Sequence, residues 1–170
     1  MNRKQFLRTG LLITTGAALR VQAQDKPATA TTPPAPAVPD RGPPIDPALV
    51  REFVVAGHSN LPKVKELLSA YPALLNACWD WGGGDFETAL GGAAHMARRD
   101  IAEFLIASGT RLDLFASAML GQLEIVKAAC TAFPNTPKVP GPHKIPLIIH
   151  AQKGGREAAA VVEYLKLIEA

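Results

Sequence analysis

Four histidines, His58, His95, His143 and His150, are the side chains of this sequence best suited to proton or metal chemistry near neutral pH. His58 and His95 stand 37 residues apart. A zinc ion shared between them would need ring nitrogens about 2.0 to 2.1 Å from the metal, and no carboxylate or thiol is obviously placed to complete the set. The expectation is therefore no metal and no cofactor. His143 falls in Pro140-Gly141-Pro142-His143, a rigid turn in which a turn-stabilising hydrogen bond is its expected role.

The acidic and aromatic side chains concentrate in Trp79-Asp80-Trp81-Gly82-Gly83-Gly84-Asp85-Phe86-Glu87. Asp80 with Asp85, or Asp85 with Glu87, could form an acid and base pair, but an exposed loop offers no apolar pocket to split their pKa values. The glycines suggest a phosphate cradle, yet no Lys follows them and Asp85 and Glu87 would repel an anion. Ser59, Ser69, Ser108 and Ser117 lie within or between helical stretches, away from any strand-to-helix elbow. No catalytic residue is expected. The loop's aromatics have two readings: the tryptophans pack beneath the loop and pin it, or they form a partner hot spot, since Trp and Tyr dominate interface energetics.

The elements that must carry these residues are helical. The chain has 170 residues, 48% apolar and 6% aromatic, and its apolar content is mostly Ala, Leu, Val and Ile, as in packed helices. Its formal charge of +3 is misleading, because Arg3, Lys4, Arg8 and Arg20 all precede Gln24 and no acidic residue does. Without them, 14 basic residues face 15 acidic ones, so the remainder lacks the basic surface that nucleic-acid binding requires.

Residues 1–23 read as a signal peptide: basic residues, a weakly apolar run from Leu11 to Leu19, and Val21-Gln22-Ala23 as a cleavage site. Arg3-Lys4-Gln5-Phe6-Leu7-Arg8 resembles a twin-arginine export signal with Lys4 in place of the second Arg, which leaves the general secretory route open. The expected location is the periplasm or the outside of the cell, with no membrane insertion after cleavage. Residues 24–46 form a Pro-rich linker, since the stretch from Asp25 to Pro47 holds eight of the 15 prolines and cannot bury apolar surface. The two cysteines, Cys78 and Cys130, share no metal-ligand spacing and are expected to be unpaired and largely buried.

Residues 47–170 carry an internal repeat. Thr88-Ala89-Leu90, Ala93-Ala94, Ile101, Phe104-Leu105 and Gly109 outline one helix pair closed by a glycine in a left-handed conformation. Phe53, Leu114 and Leu147 open similar frames, each followed by small residues and a second apolar stripe. With Leu90 these framing positions are spaced by 37, 24 and 33 residues, and the short interval implies that the third unit has lost its hairpin. Gly91, Gly92, Ala93 and Ala94 would let neighbouring helices approach closely.

This pattern resembles the ankyrin repeat family, with repeats at about 47–83, 84–112, 113–139 and 140–170. The resemblance implies an all-α, ankyrin-type solenoid of about four repeats with short β-hairpin-like loops, each pair covering its neighbour's apolar face. It also implies a monomeric protein-protein interaction module that binds an unidentified protein partner through hairpin tips and the concave face. The expected contact residues are Trp79, Asp80, Trp81, Asp85, Phe86 and Glu87, with Arg111 and Asp113 at the next junction. In this frame His58 and His95 occupy equivalent positions in repeats about 10 Å apart. The competing expectation is a small exported metal- or ligand-binding protein, or enzyme, using His58, His95 and the acidic Trp-Gly loop.

Overall fold

The computed structural model describes residues 42–169. The expected signal peptide, its cleavage site and the linker up to residue 41 lie outside the described residues. The described part is mostly helical: α1 (Pro47–Gly57), α2 (Leu61–Ala70), α3 (Ala89–His95), α4 (Arg99–Ala107), α5 (Leu114–Met119), α6 (Leu123–Ala132), α7 (Leu147–Lys153) and α8 (Ala159–Glu169). One antiparallel hairpin, β1 (Cys78–Asp80) with β2 (Phe86–Thr88), separates α2 from α3 and pairs Cys78 with Thr88, Trp79 with Glu87 and Asp80 with Phe86. Among the described residues no helix is long and apolar enough to cross a membrane.

The helix starts are written in the sequence. Asp46 accepts a hydrogen bond from the Ala48 amide ahead of Pro47, and Asn60 accepts one from Lys63 ahead of Pro62. Thr88 caps α3 through the Gly91 amide, and Asp113 caps α5 through that of Ala116. Each such cap satisfies an amide that the first helical turn leaves without a partner. The apolar stripes then orient the helices: Val64 and Leu67 on α2, Ile101 and Leu105 on α4, Val126 and Cys130 on α6, Val161 and Leu165 on α8 are all buried.

The first helices of the four pairs form a row in which α1 packs on α3, α3 on α5 and α5 on α7, while each second helix folds back on its own first helix. Every residue of α3 from Ala89 to Ala94 is buried, as a helix flanked on both sides must be. The framing residues Phe53, Leu90 and Leu147 are buried, and Leu114 packs partly buried against the second of two apolar clusters. One cluster joins the first two pairs and takes in Ala116 and Met119 of α5, and the other joins the last two. Gly109 takes the expected left-handed conformation, with φ 91°.

Residues 108–113, between α4 and α5, form no strand, in keeping with the short interval in the sequence. Helix α3 meets α7 as well as α5. One expectation is corrected here: Cys78, on the outer side of β1, is exposed, and only Cys130 is buried.

Candidate functional site

The β1–β2 hairpin turns through Gly82, Gly83 and Gly84, all with positive φ (127°, 66° and 85°), a backbone path that favours glycine at the tip. The Asp80 carboxylate closes this turn by accepting from the amides of Gly82 and Gly84 at 2.8 and 3.2 Å. Strand alternation then sorts the side chains of β2. Phe86 is 60% exposed, whereas Glu87 is 1% exposed.

Glu87 is buried, in place of the exposed position expected for it, whereas Asp80 is exposed and Asp85 partly exposed. The Glu87 carboxylate is surrounded by imidazoles. The Nε2 atoms of His58 and His143 lie 3.2 and 3.4 Å from Oε2, and Nε2 of His95 lies 3.1 Å from Oε1. The Trp81 indole N–H donates to Oε2 at 2.8 Å. The His58 and His95 rings meet edge to face at 4.9 Å between centroids, and the His95 and His143 rings do so at 5.2 Å. The separation of about 10 Å expected from repeat spacing is thus closed by side chains reaching along the row from the ends of α1 and α3.

Each ring has a traceable support. His58 follows α1, and its Nδ1 lies 2.9 Å from the Val54 carbonyl, so Nδ1–H donates and Nε2 faces Glu87. The absence of a side chain at Gly92 makes room for this ring, since a Cβ there would stand 2.8 Å from His58 Nδ1. Small residues of α3 were expected to admit a neighbouring helix; at Gly92 what is admitted is the imidazole. His95 is the last residue of α3.

His143 lies in a 3-10 turn, Pro142–Lys144, ahead of α7. Both His143 and Lys144 have positive φ, 55° and 57°, a conformation that costs a non-glycine residue about 1 to 2 kcal/mol. Asp85 offsets this by accepting from the His143 backbone amide and ring Nδ1, each at 2.8 Å. The hydrogen bonds of His143 that hold its turn run to the hairpin, 58 residues away in sequence.

Electrostatics keep one carboxylate charged in this buried place. Burial opposes ionisation of Glu87, but the surrounding His58, His95 and Trp81 groups outweigh it and hold the carboxyl well below the usual carboxylate range. Glu87 stays ionised and is unsuited to act as a general acid. Contact with Glu87 raises the pKa of His58 against the opposing effect of burial. The His143 backbone amide, with its ring, lowers that of Asp85. His150 is apart from this group; it packs on Phe115 and sits at 3.1 Å from the Pro146 carbonyl.

The remaining expected contact residues divide. Trp79 is half-buried on β1, opposite Glu87, and Trp81 is 36% exposed beside the His58 and His143 rings. Arg111 is exposed, and its backbone amide donates to Asn76. The Asp113 carboxylate is taken up as the cap of α5. Neither belongs to the four-residue cluster. An open groove of about 610 Å³ runs between the hairpin tip and the following turn, lined by Gly82, Gly83, Gly84, Asp85, His143 and Lys144 among others.

Sequence reasoning missed Glu87 as the hub and His143 as a member. The first had a signal, because a short strand that places Phe86 outward must turn Glu87 inward. No family model, curated protein or solved structure matches the chain.

Proposed function

We propose that the four helix pairs are ankyrin-like repeats and that the domain is a protein-recognition module of an exported protein. The row of first helices α1, α3, α5 and α7 supports the repeat reading, since each would expose its apolar side without the next.

The observation that carries the recognition reading is the hairpin. It holds Phe86 60% exposed and Trp81 36% exposed on a backbone pinned from below by Glu87 and from the side by Asp85 and His143. Aromatic side chains on a rigid support give contact area with little entropy lost on binding. Of the two readings of the tryptophans, Trp81 serves both, being partly exposed and bonded to the buried carboxylate. Phe86 is therefore the cleaner probe, because its removal leaves that bond intact.

The test is affinity capture from a cell-envelope extract with the full chain, against a Phe86→Ala variant of equal helicity and Tm. The expected result is a protein retained by the first and depleted at least about tenfold on the second, the equivalent of about 1.4 kcal/mol. Equal retention by both would remove the hairpin from the binding surface.

A further inference from the structure

We propose that His58, Glu87, His95 and His143 together bind one divalent transition-metal ion of the zinc class. This goes beyond partner recognition and does not depend on it. The ligand atoms of the four residues all lie within 4.8 Å of one another.

The distances within the cluster fit this reading. Charge-assisted N–H···O bonds run about 2.7 to 2.9 Å. The Asp85 contact with His143 Nδ1, at 2.8 Å, is of that kind. The three contacts between imidazole Nε2 and Glu87 are longer, at 3.1, 3.2 and 3.4 Å. Tetrahedral ligands bonded at about 2.0 to 2.1 Å stand about 3.3 Å from each other, so these spacings suit atoms that share a cation.

Two buried atoms point the same way. Among the described residues Glu87 Oε1 and His95 Nε2 have no hydrogen-bond partner, although they lie 3.1 Å apart. Unpaired buried polar atoms are costly, and a cation between them satisfies both.

Outer contacts orient two of the three rings. His58 Nδ1 is engaged by the Val54 carbonyl and His143 Nδ1 by the Asp85 carboxylate, which leaves each Nε2 directed at Glu87. A carboxylate or carbonyl on the far nitrogen is the usual support of a metal-ligating imidazole. Three nitrogens and one oxygen suit zinc, cobalt or nickel, whereas calcium and magnesium favour oxygen donors throughout. The open groove reaches His143, one of the four ligands, and its partner Asp85.

The full chain, stripped with a chelator and verified as folded by circular dichroism, is titrated with zinc chloride by calorimetry and with cobalt(II) by visible absorption. The expected result is one ion per chain, a raised Tm and the visible bands of a four- or five-coordinate cobalt site. Asp85→Asn keeps all four ligands and weakens zinc about 10- to 100-fold, and His143→Ala weakens it further. Ring resonances of His58, His95 and His143 shift on zinc addition while those of His150 do not. Failure of the folded, stripped chain to bind zinc overturns the proposal, as does magnesium binding as tightly as zinc. Should the variants lose their fold, the ring resonances decide, and fewer than three responding histidines overturn it.

Discussion

His58 Nε2 lies 3.2 Å from Glu87 Oε2, joining the end of α1 to the hairpin that precedes α3. The contact rests on what α3 lacks. With no side chain at Gly92, the imidazole lies against the helix backbone and reaches the carboxylate.

Gly92→Ala tests that dependence with opposed signs. In an unconstrained helix the change should stabilise by about 1 kcal/mol through helix propensity. Here the new Cβ would stand 2.8 Å from His58 Cε1 and Nδ1, and overpacking of this kind costs about 1 to 3 kcal/mol. A net loss of stability is expected in urea denaturation. His58→Ala in the same background should recover part of it, because the clash is removed.

Asp113 separates a structural role from recognition. Its carboxylate accepts from the Ala116 amide at 2.7 Å, while burial raises its pKa, so holding it ionised at neutral pH is unfavourable. Asp113→Ala should cost about 1 kcal/mol through loss of the cap, whereas Asp113→Asn keeps the cap without the charge and should equal or exceed the parent. Chemical denaturation at neutral pH measures both. An Asn variant as unstable as the Ala variant would show that the charge itself is needed.

His150 sets an acid limit. It is 1% exposed, and burial lowers its pKa below the ordinary 6.5. The unfolded chain takes up a proton as pH falls through 6.5 and the folded chain does not, so stability declines from there down to the folded value and then levels. His150→Leu should flatten this decline. Denaturation midpoints measured just above and well below pH 6.5 give the comparison.

Cys78 and Cys130 differ in access, the first exposed and the second buried. A maleimide should label one thiol of the native chain and two after denaturation. Partial desolvation of the Cys78 thiol, with the negative charge of Glu87 and Asp80 nearby, raises its pKa and should slow labelling relative to a free thiol. Mass spectrometry over time reads both the count and the rate.

Apolar stripes and the pairing of helices were legible in residues 47–169, as was the start of α3 at Thr88, because the three- to four-residue apolar spacing acts within a few positions of the chain, whereas Asp113, read as a contact residue, proves to be the cap of α5. Even the shortened third unit could be read from the interval between residues 90 and 114. The site was not legible in the same way. His58, Glu87, His95 and His143 belong to three separate helix pairs, and what joins them is the meeting of the hairpin and the ends of α1 and α3 with the turn ahead of α7. Local spacing determines which way a side chain faces from its own element. Only the packing of those elements determines which side chains face one another, and here that packing set three imidazoles around one buried carboxylate.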